Sequence, residues 1–276
     1  MTLKNLLITW PSEVLSERRY VKYLEMLSKV FYLWNQSSQP IHIRRHSISE
    51  ASLGAVVIWN ISNPTFDIIT PSGFRSSRFL KGFTHAASRQ WERYGIDVLL
   101  EGGKPEGMFD IGANIGEFTF AGQQRRLENI YSFEPDPVAF RCLSYNVHAE
   151  TAKLFNFALG EKTGEGTFFS ASEGADSSLI KPDVKSREIK VPIYRLEDFV
   201  ETLEIRGGML VKMDAEGAEP EVLRGFGKYA NAISWISIDV GPERQGQSTR
   251  VEVEALLHEY GFKTSSYSEW ILHGRR

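Results

Sequence analysis

Residues 108–117 read Met-Phe-Asp-Ile-Gly-Ala-Asn-Ile-Gly-Glu. The apolar run is stopped by Gly112, and a second glycine follows at Gly116. A strand that breaks into a glycine turn and then enters a helix is the opening unit of a nucleotide-binding α/β sheet. Working outward, the same alternation repeats. Helix is predicted over 114–127, 136–149, 195–204, 217–228 and 249–260. Strand is predicted over 129–135, 152–160, 189–194, 208–214 and 234–240. Residues 161–179 are rich in Gly and Ser and read as a hairpin or loop, and 263–276 as a closing hairpin. Short strands separated by helices of ten or so residues imply right-handed crossovers and a mainly parallel, doubly wound sheet.

The 276 residues are 42% apolar and 24% charged, which supports a sizeable core and excludes a disordered or fibrous chain. Residues 1–83 are read as a small α+β extension: a helix over 12–34, then strands near 41–49 and 53–60. Residues 84–276, opened by a helix over 84–100, form the main domain. The net charge of −3 is not the footprint of a nucleic-acid binder, so no nucleic-acid partner is expected. Lys and Arg are concentrated near the start, and the extension is a candidate cover for the substrate. A single cysteine, Cys142, excludes an internal disulfide and any cysteine-based zinc site. No run approaches the ~18 apolar residues of a spanning helix, so a soluble cytoplasmic protein is expected.

In such sheets the ligand lies beyond the carboxyl ends of the strands. A dinucleotide fingerprint needs G-x-G-x-x-G; here Asn114 occupies the middle place and the third glycine is missing. Asp110 precedes the turn. A carboxylate there repels pyrophosphate and suits a positively charged ligand, and S-adenosylmethionine carries an ammonium and a sulfonium but no phosphate. Glu134, 22 residues after Gly112 in Phe-Glu-Pro-Asp-Pro, is placed to accept hydrogen bonds from ribose hydroxyls. Pro135 stiffens that exit, Asp136 is set to cap the next helix, and Asn156 with Ala158 is a candidate wall for adenine.

Further on, Val-Lys-Met-Asp-Ala-Glu-Gly-Ala-Glu (211–219) ends a strand in a cluster of acids. Methyl transfer to an alcohol requires a positioned hydroxyl and a proton acceptor. Asp214 is the first candidate and Glu216 the second; Lys212 either stabilises developing alkoxide or pairs with a carboxylate. No metal is assigned to Asp214, Glu216 and Glu219, because acids in a first helical turn also answer the helix dipole. Glu243 and Arg244 are read either as substrate contacts or as a salt-bridged loop.

Taken in order, FDIGANIGEFTF, YSFEPDPVAFRCLSYNV, NFALGEKTGEGTFF, GADSSL, VPIYRLEDFV and VKMDAEGAEPEVLRGF resemble the FkbM-type methyltransferases over about residues 106–262. A looser match reaches back to Trp91. The resemblance implies a Rossmann-like class I fold and S-adenosylmethionine-dependent methylation of hydroxyls on sugars or macrolide-type products. It assigns Asp110, Gly112, Asn114 and Gly116 to the cofactor loop and Glu134 to the ribose. Lys212, Asp214, Glu216, Gly217 and Glu219 match the second signature. Ala215 replaces a more usual β-branched residue, and 238–244 depart from the common pattern.

The readings set against this are a base-flipping nucleic-acid methyltransferase, a nicotinamide dehydrogenase, and a binding module without turnover. The first rests on Asn63-Pro64-Thr65-Phe66, which lacks the second proline of the usual turn. Asp110 and the missing glycine oppose the second.

Overall fold

The chain enters its main sheet at the centre and winds outward in both directions. In this computed structural model the described residues are 23, 41–44, 56–61, 67–71, 83–171, 177–181, 186–200, 205 and 207–276. The expected helix at 12–34 therefore lies outside them, apart from Tyr23, which is helical.

Strands β1 (Ile41–Arg44), β2 (Val56–Ile61) and β3 (Asp67–Pro71) form a small antiparallel sheet. The main sheet has seven strands. From its centre run β4 (Gly107–Ile111), β5 (Ile130–Phe133) and β6 (Ala152–Phe155) to one side. To the other run β10 (Met209–Met213) and β11 (Ile233–Asp239), closed by the hairpin of β12 (Lys263–Ser266) and β13 (Ile271–Arg275). The order is β12-β13-β11-β10-β4-β5-β6, with β13 antiparallel to both neighbours and the other pairs parallel. The winding reverses between β4 and β10, which makes their carboxyl ends the switch point. This is the expected doubly wound α/β sheet.

Alternation along the central strands divides the core. Phe109 and Ile111 of β4, and Val211 and Met213 of β10, face a cluster containing Leu223, Phe226 and Leu257. Met108 and Leu210 face the opposite cluster, with Trp91, Tyr94 and Phe118. By the two-residue period, Asp110 and Lys212 point to that second face, under the helices.

Several boundaries differ from expectation for local reasons. The stretch 84–100 is two helices, α1 (Phe83–Arg93) and α2 (Ile96–Leu100), because Gly95 takes the left-handed conformation (φ 60°) between them. Helix α3 begins only at Glu117 and runs to Gln124, since Gly112, Asn114 and Gly116 all have positive φ. Helix α4 (Pro137–Asn146) is capped by the Asp136 carboxylate, which accepts from the amides of Val138 and Ala139.

The single strand expected at 152–160 is split into β6 and β7 (Ala158–Leu159), the latter in a side sheet with β8 (Gly164–Ala171) and β9 (Ser186–Tyr194). At the break, the Asn156 amide donates to the carbonyls of Glu134 (2.8 Å) and Pro135 (3.2 Å), which turns the chain. The Gly/Ser-rich stretch is therefore the start of a long antiparallel hairpin. Helix α5 is Leu196–Val200. The predicted helix at 217–228 is α6 (Glu219–Arg224) followed by a 3₁₀ turn, Gly227–Ala232. Helix α7 covers Arg250–Glu259.

Trp91 binds α1 to the sheet domain. Its ring stacks on Phe118 at 5.2 Å, its indole N–H donates to Asp97 (2.7 Å), and the Arg125 guanidinium lies over it at 4.3 Å. Only 1% of the residue is exposed. Replacing Trp91 by Ala is expected to cost about 3–5 kcal/mol and Trp91→Phe clearly less, read from urea unfolding of the full chain. Equal, small losses would show α1 to be a loose attachment.

Candidate active site

Five connections converge at the carboxyl edge: Gly112–Gly116 after β4, Glu134–Asp136 after β5, Asn156 after β6, Asp214–Gly217 after β10, and Asp239–Glu243 after β11. Register explains the centre of the site. Lys212 and Asp110 are direct cross-strand partners, and their side chains form a buried ion pair, Nζ–Oδ1 3.2 Å. The same ammonium donates to the Gly112 carbonyl at 2.7 Å, so it holds the glycine turn as well. Of the two roles considered for Lys212, the structure shows carboxylate pairing. Asp110 is fully buried, and its other oxygen accepts a hydrogen bond from the Thr119 hydroxyl (2.7 Å). It underlies the loop.

The loop itself is tied inward. Gly112 N and Ala113 N both donate to the Phe133 carbonyl (3.1 and 3.0 Å), Gly116 N to the Ala113 carbonyl (2.9 Å), and Asn114 N to Glu134 Oε2 (2.7 Å). A pyrophosphate is bound by amides that point outward at such a turn. Four of the five amides from 112 to 116 are spent within the protein. That leaves few amides for a phosphate, which suits a nucleoside without one. Gly112 is required for a second reason: a Cβ there would lie 1.9 Å from the Asp214 carbonyl oxygen.

Glu134 is buried, and its other oxygen accepts from the Asp136 amide (2.8 Å). Burial, and secondarily the charge of Asp136, pushes its carboxyl up to about 8, against the two amides that favour the anion. Pro135 and Asn156 stand beside it, joined by the hydrogen bonds from the Asn156 side chain that separate β6 from β7. Ala158 is packed with Phe168 and Val191 in the side sheet.

On the other side of the switch point, Asp214 is half-buried and accepts from the Tyr94 hydroxyl at 2.6 Å. Tyr94 is held from behind, where its carbonyl accepts from Ser237 Oγ (2.8 Å) and meets His273 Nε2 (2.9 Å). Burial and the charge of Asp214 raise the Tyr94 hydroxyl well above its ordinary range, so it remains a donor. Glu216 sits in the turn with φ 50°, and its carbonyl accepts from Ser178 (2.6 Å). Glu219 is fully buried and closes that turn, accepting from Ala215 N (3.1 Å), Gly217 N (3.0 Å) and Thr249 Oγ1 (3.0 Å).

The acids that do meet are Asp214, Asp239 and Glu243, with carboxylate oxygens within 4.8 Å of one another. Arg93 pairs with Asp239 (2.5 Å). Arg244 instead pairs with Glu221 and donates to the Gly217 carbonyl, so it takes the salt-bridged role while Glu243 faces the site. Tyr94 and Asp239 were not among the residues expected here. An acid at the very end of β11, one strand from Asp214, was the available signal for Asp239; Tyr94 carried none beyond its place before Gly95.

Residues 110–264 match the Methyltransferase FkbM domain family. The chain belongs to that family. The FkbM domain is an S-adenosylmethionine-dependent methyltransferase domain, in keeping with a loop suited to a phosphate-free nucleoside.

Similar chains include the hexuronic acid methyltransferase AglP of Haloferax volcanii, 26% identical over 148 residues, 52% of this chain and 60% of that one. Another is the 2-O-methyltransferase NoeI of Sinorhizobium fredii, 28% identical over 170 residues, 55% and 69% of the two chains. The chain thus matches less than two thirds of the first relative's length. Among solved structures, the plantazolicin methyltransferase BpumL is 12% identical with a TM-score of 0.41, covering 70% of this chain and 82% of its own. Asn63–Phe66, the segment considered for base flipping, lies outside the described residues. Among those described, no helix is long and apolar enough to cross a membrane.

The Asp110–Lys212 pair yields a stability test. Lys212→Met leaves a buried carboxylate without its counter-charge and is expected to cost about 3–5 kcal/mol. Adding Asp110→Leu should recover part of that loss, measured as a double-mutant cycle by chemical unfolding. Additive losses would mean that the two groups do not act as a pair.

Proposed function

We propose that this protein transfers the methyl group of S-adenosylmethionine to a hydroxyl of a small sugar, a glycan or a glycosylated metabolite. The observation that carries the reading is the juxtaposition at the switch point: an inward-tied nucleoside loop packed directly against the backbone of Asp214. The name of one similar chain, a hexuronic acid methyltransferase, supports the acceptor class, and that of another, a 2-O-methyltransferase, supports a hydroxyl as the target.

When bound, S-adenosylmethionine supplies a methyl group on a positively charged sulfur. In this reading Glu134 accepts the ribose hydroxyls, and Pro135 with Asn156 frames the adjoining base. Asp110 and Lys212 set the height of the loop from below. Asp214 receives the acceptor's hydroxyl proton, and Tyr94 keeps its carboxylate oriented by donating to Oδ2. Glu216 adds negative charge at the same turn. Alignment of the hydroxyl contributes most, since in-line displacement depends on geometry.

The sign of the pH effect at Glu134 follows from its role. Ribose hydroxyls donate to the anion, but the free protein holds Glu134 protonated up to about pH 8. Binding must then release a proton, and affinity for the demethylated cofactor should rise with pH and level off above that value. Calorimetry in buffers of different ionisation heat should detect proton release near neutrality, absent in Glu134→Gln, which also binds more weakly. Constant affinity from about pH 6 to about pH 9 would oppose this role.

Asp214→Asn is expected to lower turnover by about 10²–10⁴-fold with cofactor affinity changed little. Single-turnover methyl transfer to saccharide acceptors, read by mass spectrometry beside calorimetry, separates the two effects. A variant that loses cofactor binding but transfers normally once saturated would assign Asp214 to the wrong step.

A further inference from the structure

Three carboxyl groups share one end of the site, and their donors are unequally distributed. Asp214 takes the Tyr94 hydroxyl at 2.6 Å. Asp239 takes the Arg93 guanidinium at 2.5 Å and the Gly241 amide at 3.0 Å. Glu243 Oε2 is shielded from solvent and has no hydrogen-bond partner among the described residues. The loop is built to hold this arrangement. A Cβ at Gly241 would lie 2.9 Å from Glu243 Oε1 and 3.2 Å from Asp239 Oδ1, so the two acids fold over the glycine.

Three carboxylates this close do not all ionise near neutrality; the group with the fewest donors keeps its proton. That group is Glu243. The charged groups around it are Asp214 after β10, Asp239 at the end of β11, Glu219 in α6 and Arg93 in α1. Acids outnumber cations there. Burial first, then the neighbouring acids, pushes Glu243 up to about 9, whereas Asp239 with its guanidinium rises only to about 6.

We propose that Glu243 determines specificity by acting as a neutral carboxylic acid that donates a hydrogen bond to an acceptor oxygen beside the reacting hydroxyl. The site then selects molecules bearing oxygens on adjacent carbons, a vicinal diol or its ether. This deepens the methyl-transfer reading and rests on it. In the step, the methyl carbon–sulfur bond breaks and a methyl carbon–oxygen bond forms. The sulfur keeps the electron pair, and the hydroxyl proton passes to Asp214. Glu243 holds its proton throughout, so activity declines as pH rises through its ionisation.

Carboxyl carbon NMR of the full chain, labelled at glutamate, tests the protonation directly. The resonance missing from Glu243→Gln should be that of a neutral acid at neutral pH and should titrate only in alkali. A resonance already ionised at neutral pH overturns the proposal. So does one displaced by magnesium chloride, since the three acids would then belong to a cation.

Selectivity is tested by methyl transfer to p-nitrophenyl hexosides and hexuronides, and to deoxy analogues lacking the oxygen next to the methylated position. Wild type should favour the intact sugars by about tenfold or more. Glu243→Gln, which keeps a donor, should fall less than Glu243→Ala and should lose the alkaline decline. Equal rates on intact and deoxy sugars overturn the selectivity. Absence of transfer to every hydroxyl overturns the underlying methyl-transfer reading, while the resonance still decides the protonation of Glu243.

Discussion

The pairing of Lys212 with Asp110 governs the geometry of the whole edge. It joins the first strands of the two halves of the sheet where the winding reverses, and its ammonium also grips the Gly112 carbonyl. A buried ion pair is a poor device for stability alone, because desolvating two charges offsets most of their attraction. What it supplies here is a fixed height for the glycine turn relative to Asp214. The turn and the acid are in backbone contact, so a shift in one displaces the other.

The pair is the middle of a longer feature. Register places Ser132, Asp110, Lys212, Ser237 and His273 in one row across five adjacent strands, and all five are buried. The helical layer answers this row with polar groups of its own. Thr119 bonds both Asp110 and Ser132, and the Tyr94 carbonyl meets both Ser237 and His273. Buried polar groups of this kind specify one alignment, since any slip leaves them unpaired. The row thereby fixes Tyr94, and through its hydroxyl the orientation of Asp214.

The main sheet was readable in the sequence because its strands are apolar on both faces and bounded by glycine or acids. The polar row was not. Single polar residues inside apolar runs carry no mark of their cross-strand partners, and register is a property of the assembled sheet. The same limit explains the acids. Asp214, Glu216 and Glu219 are neighbours in the chain, yet Glu219 turns back to cap its own loop, while Asp239 and Glu243 arrive from the next strand. The division of 152–160 into two sheets depends on Asn156 reaching carbonyls 21 and 22 residues away, which local propensity does not express.

Within the proposed function, the edge beyond the strands collects Glu134, Asp214, Glu216, Asp239 and Glu243, with Arg93 and Lys212 as nearby cations. Such an edge is matched to a positively charged donor, and the match weakens once transfer has consumed that charge. The acids need not all be ionised for this to hold. In this reading, protons retained on Glu134 and Glu243 lessen the repulsion within the free edge, and the one on Glu134 is released when the nucleoside binds. Charge is thereby drawn onto the site at the moment its cationic ligand enters, a form of linkage that a row of permanently ionised acids would lack.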